Sequence, residues 1–188
     1  MKFFLHGWCA SIDSPKNKEF FQSFCGHGSK ILILPFGWEP EEQIFNDYKQ
    51  NFIKHNPDNN LLFMCASRDI STLIDQIKNN DILFFPWWKP YKYFELINRI
   101  PNFKELCKNK TIAGASWWAI MWAKVYYSSN AENLREWNGF LPIKIIVHRW
   151  SDKHPGLSWQ ERERLLDEYG EKLPIYKIPE QEYVEFTI

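Results

Sequence analysis

Residues 112–119 read Ile-Ala-Gly-Ala-Ser-Trp-Trp-Ala. A short apolar run closes on Gly114 and Ala115, one serine follows, and two tryptophans come next. The run has no polar alternation, which suits a strand buried on both faces. The longer segment after it reads as a helix, from Trp117 to about Tyr127. Ser116 therefore stands where a strand turns into a helix, and two roles fit a serine there. It can cap the helix by accepting from the backbone N–H groups of the first turn. It can also act as a nucleophile, with the N–H of Trp117 aimed at a developing oxyanion. Spacing alone leaves both open.

The same strand-then-helix pattern repeats along the chain. Apolar runs lie at Phe3–Leu5, Ile31–Leu34, Leu61–Met64, Ile82–Phe85, Thr111–Ala115 and Ile143–Val147. Most of them look buried on both faces. Helices are predicted between them. Ser14-Pro15 supplies an N-cap and a first-turn proline for one that runs to about Phe24. Others span Glu41 to His55, Asp69 to Asn79 and Tyr91 to about Ile97. Ser158-Trp-Gln-Glu161 is a capping-box pattern opening the last, to about Tyr169. Tyr176–Ile178 and Tyr183–Thr187 read as late edge strands. This alternation predicts a mostly parallel sheet covered on both sides. No linker, repeat or low-complexity stretch divides the 188 residues, so a single domain over 1–188 is expected.

Composition excludes several classes of function. Lys and Arg total 23, as do Asp and Glu. That balance removes the electrostatic case for a nucleic-acid or anionic-membrane partner. No apolar run reaches the about 18 residues a spanning helix needs. The opening Met-Lys-Phe-Phe-Leu is cut short by His6 and Gly7, so a buried strand is expected there rather than a signal peptide. Cys9, Cys25, Cys65 and Cys107 show no paired spacing, and no cluster of His and carboxylates has metal-ligand spacing. A reduced, cytoplasmic chain without metal or cofactor is the expectation. His6 and Cys9 flank Trp8 and form a minor candidate for a nucleophile site.

In an open α/β sheet, ligands bind beyond the carboxyl ends of the strands. Seven of the ten tryptophans fall just past such an end: Trp8, Trp38, Trp87, Trp88, Trp117, Trp118 and Trp150. Indole faces there would line a pocket for a flat or cationic group. They would equally fill the core beneath the loops, or a contact between two copies of the chain in a homodimer. His148 follows the sixth apolar run as Ser116 follows the fifth. A parallel sheet would bring a serine and a base to one edge.

The order of features resembles the peptidase E family, serine peptidases of the class I glutamine amidotransferase-like fold. Gly114-Ala-Ser-Trp-Trp-Ala119 resembles its nucleophile elbow, written G-x-S-A-G-A. The segment from Asp81 to Ile97 resembles its strand, glycine-rich turn and helix. Asn138-Gly-Phe-Leu-Pro to His148 resembles the segment that ends in its catalytic histidine, and the first two apolar runs resemble its opening strands. The resemblance implies a flavodoxin-like three-layer α/β/α sandwich. It implies Ser116 as nucleophile, His148 as base, and backbone oxyanion donors at Trp117 and near Trp87. The family's acid falls at Ala131, beside Glu132, with Asp152 as a second candidate. The substrate would be a peptide or a related amide or ester. Trp8, Trp38, Trp87 and Trp88 would shape its pocket, and Arg149, Lys89 or Arg68 would pair with a carboxylate. Six positions in three places differ in kind from the family pattern. Its glycine-rich turn is Pro86-Trp87-Trp88, its Asn-Thr is Lys89-Pro90, and the glycine two residues past the nucleophile is Trp118. Those changes keep a second reading in view, a non-catalytic relative whose tryptophan-rich cleft binds a ligand or a protein partner.

Overall fold

The computed structural model describes residues 1–7, 14–36, 40–86, 91–128, 133–137, 141–147 and 157–188, with backbone alone for 91–94 and 117. Local signals set the helices. In α1 (Pro15–Cys25), the Ser14 hydroxyl accepts from the Asn17 N–H at 3.1 Å, and Pro15 opens the first turn. α2 (Glu41–His55) carries Glu41 and Glu42 in its first turn and Lys54 and His55 in its last, which complements the helix dipole. α3 (Ile70–Asn79) is capped by Asp69, which accepts from the Thr72 N–H at 2.8 Å. Hydrogen bonds from Ser71 and Thr72 hold the exposed Asp69 carboxyl down, to about 2. α7 (Trp159–Glu168) starts with the complete capping box of Ser158 and Glu161. α4 (Tyr91–Asn98) and the short α5 (Phe103–Leu106) complete the set before the elbow.

Six strands form one sheet in the order β10-β1-β5-β4-β2-β3. They are β1 (Lys2–His6), β2 (Lys30–Ile33), β3 (Leu62–Cys65), β4 (Ile82–Phe85), β5 (Thr111–Ala115) and β10 (Tyr183–Thr187). All pairs are parallel except β1 with β10. The unbroken apolar runs are explained by two covered faces. Phe3, Leu5, Leu32, Leu83, Phe85 and Ile112 enter a core that also holds Leu73 and Ile77 of α3 and Phe103 of α5. Their neighbours Phe4, Ile31, Ile33, Ile82, Phe84 and Ala113 enter a second core with Phe20, Phe21 and Phe24 of α1 and Phe52 of α2. That is the expected three-layer α/β/α arrangement. The edge strand β3 departs from it. Leu62 is 61 % exposed and Met64 41 %, because only β2 flanks that strand.

Two further expectations need correction. The helix after Ser116, α6, covers only Trp117–Met121. The chain then turns at Trp122 into β6 (Ala123–Ser128). Lys124-Val-Tyr-Tyr is strand-forming sequence, and packing on two sides settles it as strand. The Ile143–Val147 run does form a strand, β8 (Leu141–Val147), but in a second sheet. That sheet has the order β7-β6-β8-β9, with β7 (Asn133–Glu136) and β9 (Ile175–Ile178). β8 runs parallel to both β6 and β9, and β7 is antiparallel to β6. One face of this sheet, through Tyr126, Leu141, Ile143, Ile145, Val147 and Ile178, shares the first core with α6 and the large sheet. The other face, through Val125, Tyr127 and Ile146, packs against Leu166 of α7.

Lys144 interrupts the apolar pattern of β8 and is 1 % exposed. Its ammonium donates to the carbonyls of Leu166 at 2.5 Å and Tyr169 at 2.6 Å. These are C-terminal carbonyls of α7, which the helix cannot pair itself. Lys144→Met keeps the aliphatic stem but strands those acceptors. We expect a loss of about 2 kcal/mol, or a melting temperature lower by about 4–8 °C by circular dichroism.

Candidate active site

The strand-to-helix junction is unusual at the backbone level. Ser116 has φ 58° and ψ −119°. That pair mirrors the extended region and belongs to glycine, with a cost of order 1–3 kcal/mol for any other residue. Asn102 also has positive φ, but at φ 53° and ψ 37° it lies in the left-handed well that Asn tolerates. The Ser116 side chain makes no capping hydrogen bond to α6. The capping alternative is thereby removed, and a strained strand-to-helix turn is what stands there.

Several contacts hold this turn. The Ser116 N–H donates to the His6 carbonyl at 2.8 Å, extending the β1–β5 ladder by one step. The Ser116 carbonyl accepts from Ala119 at 2.9 Å and Ile120 at 3.4 Å, starting α6. Trp118 folds back over β5. A Cβ on Gly114 would lie 2.8 Å from the Trp118 Cβ, so the glycine before the serine makes the room that the indole uses. Trp118 then packs on Phe85, tilted by 33° with 4.8 Å between ring centroids, and is fully buried. Trp118 is core, not cleft. Trp122 is core too, packed against Phe3, Phe85 and Phe103.

The second sheet reaches the same rim. Val147, the last residue of β8, is in register with Ile178 of β9. The Ile178 and Pro179 carbonyl oxygens lie 3.0 and 2.0 Å from where a Cβ of Gly7 would be. The Gly7 N–H donates to the Glu182 carbonyl at 2.8 Å. The carboxyl ends of β5, β1, β9 and β8 therefore follow one another along one edge. Of the sequence-based candidates, Ser116 alone is fully described there. Trp117 is described by its backbone. Trp8, Trp38, Trp87, Trp88, Lys89, Glu132, His148, Arg149, Trp150 and Asp152 lie outside the described residues. Arg68 pairs with Glu41.

The described members of the other candidates are buried or unreactive. His6 is fully buried, 4.7 Å from the Phe20 ring, and its partner in that reading, Cys9, lies outside the described residues. Burial holds the Cys25 and Cys107 thiols up at about 12. Cys65 is raised by burial and by Glu41 and Glu42. None of these three has the lowered pKa of a reactive thiol. Among the described residues, no group of three His, Cys, Asp or Glu could hold a metal, and no helix is long and apolar enough to cross a membrane.

No protein-family model matches the sequence, and no curated protein is similar to it in sequence. Solved structures do match. A peptidase from an acI-B1 Actinobacterium aligns with a TM-score of 0.66 at 17 % identity, over 95 % of this chain and 80 % of that one. A protein assigned to peptidase E from Listeria monocytogenes EGD-e aligns with a TM-score of 0.61 at 15 % identity, over 100 % of this chain and 98 % of that one. The chain has the peptidase E fold. The resemblance read from Gly114–Ala119 and its neighbours thus holds for the architecture. In this peptidase E-like chain Ser116 has a strained backbone, with a tryptophan two residues beyond it.

The His6 side chain ties the rim together through hydrogen bonds with the Asn17 side chain and the Gln181 backbone. Burial nevertheless dominates and lowers its pKa from 6.5 to about 4. The unfolded chain binds the proton more readily, so stability is full above pH 6.5 and is lost as pH falls toward 4. Urea titrations at pH 7 and pH 5 should differ by about 2 kcal/mol from this group. His6→Gln should remove most of that difference, whatever its effect at pH 7.

Proposed function

We propose that the chain is a cytoplasmic serine hydrolase of the peptidase E type, cleaving a peptide or a related amide or ester. The observation that carries this reading is the backbone of Ser116. A strained turn is retained only where the surroundings enforce it, and such strain clusters at active sites. Both solved relatives are described as peptidases, which supports the class of reaction. In the proposed mechanism, His148 takes the Ser116 proton as Oγ attacks the substrate carbonyl. The backbone N–H of Trp117 and one near Trp87 bind the oxyanion. His148 then returns the proton to the leaving group, and water releases the acyl enzyme.

The arrangement of strand ends supports these roles. His148 is the residue after Val147 in the chain. β9, on one side of β8, leads across Gly7 to Ser116. β6 lies on the other side of β8. Glu132 immediately precedes Asn133, which pairs with Ser128 at the carboxyl end of β6. A base leaving β8 would thus have a carboxylate on one flank and the nucleophile on the other, as proton transfer requires. In this reading Trp8, Trp38, Trp88 and Arg149 shape the substrate pocket.

A second reading has an observation of its own. Ser116 is 1 % exposed. A hydroxyl so covered suits a non-catalytic relative that binds a ligand or partner at its tryptophan-rich edge. Labelling with a fluorophosphonate probe, followed by intact mass, separates the two. A hydrolase gains one adduct, and Ser116→Ala and His148→Ala each slow labelling by about 1000-fold or more. Folded wild-type protein that takes no label favours the binding protein. Labelling unchanged in Ser116→Ala removes the serine from the mechanism.

A further inference from the structure

We infer that Gly7 is a positioning residue, and that its missing side chain sets the distance between the Ser116 elbow and the sheet that carries the base. The inference rests on the serine-hydrolase reading, and adds to it the joint on which the two halves of the site meet.

The joint is built from backbone. A Cβ on Gly7 would meet the Pro179 carbonyl oxygen at 2.0 Å, its carbon at 2.8 Å and the Ile178 oxygen at 3.0 Å. Main-chain atoms cannot swing aside as the tip of a side chain can. Both strands that meet here are also tied to the site. On one side, the carbonyl of His6, the residue before Gly7, accepts the Ser116 N–H at 2.8 Å. On the other, Ile178 is the register partner of Val147, the residue that precedes His148. The joint is fixed from its far end as well. The Gly7 N–H donates to Glu182, the Glu182 N–H donates to Pro179 at 3.3 Å, and Gln181 is held between them at φ 63°.

A methyl group at position 7 therefore has two ways in. It moves the end of β9, and with it the end of β8, or it moves the end of β1, and with it the elbow. Each changes the separation between Ser116 and the end of β8 by about 1 Å, and on the serine-hydrolase reading such a displacement costs up to about 100-fold in rate. The fold offers a matched control at the opposite ends of the strands. A Cβ on Gly28 would lie 2.3 Å from the Asp81 Cβ, just before β2 and β4 begin. Crowding there costs stability without touching the rim.

The test follows fluorophosphonate labelling over time in the full chain. The rate constant reports each folded site, and the amplitude reports the folded fraction. Gly7→Ala should lower the rate constant by about 10- to 100-fold. Gly28→Ala should lower the melting temperature or the amplitude and leave the rate constant at the wild-type value. Should Gly7→Ala fail to fold, Pro179→Gly loosens the same joint without added bulk and should slow labelling by about 3-fold or more. A wild-type rate constant in Gly7→Ala, or in Pro179→Gly if that is the variant read, overturns the inference while the serine reading stands. Labelling that persists in Ser116→Ala overturns the serine reading itself.

Discussion

A serine held in a glycine conformation must be held by something. At Ser116 the restraint is distributed over the chain. The N–H is fixed by β1, the carbonyl starts α6, and the next turn is pinned by Trp118 lying across Gly114. β5 sits between β1 and β4 in the large sheet, so it cannot shift to relax the turn without breaking a ladder on each side. The strain is offset by the burial of Trp118 and Trp122, which would otherwise have no place in the core. The same contacts that fill the core thus also shape the elbow.

The second sheet depends on that corner in turn. It shares the first core through one face, and α6 touches β1, β5, β6 and β8. The five-residue helix starts directly from the strained turn and is followed, after Trp122, by β6. The turn at Ser116 is where the packing of the two sheets and the candidate chemistry meet, and at Gly7 the main chain after β9 leaves no room for a Cβ.

What the sequence disclosed follows the range of each interaction. Ser14-Pro15 and Ser158 with Glu161 were legible because a cap bonds within three residues of itself, and Asp69, read only as the start of a helix, proves to be its cap. The strands of the large sheet were legible because burial on both faces leaves unbroken apolar runs. β6 was not, since only Trp122 separates it from α6 and no glycine or proline marks the change. Nor was the sheet to which β8 belongs, because a partner strand leaves no mark on the strand it joins. β3 looks as apolar as its neighbours, and its exposure comes only from its place at the edge. At the site, the position of Ser116 could be read, but its φ could not, because serine has no intrinsic preference for it. The importance of Gly7 was invisible for a similar reason. Its counterpart, Pro179, lies at the other end of the chain.

Trp118 shows how the peptidase E fold persists where sequence comparison finds no family. In the family pattern a glycine two residues beyond the nucleophile lets helix and strand approach. Here a tryptophan occupies that place, and Gly114, which the family pattern also has two residues before its serine, leaves the room that the Trp118 Cβ takes up. The indole gained in exchange packs on Phe85 and adds a large apolar surface to the core. A search for residues at fixed positions misses such a substitution, whereas backbone superposition does not. The conformation of Ser116 is held by the same packing that joins the two sheets, and it is the observation on which the proposed chemistry rests.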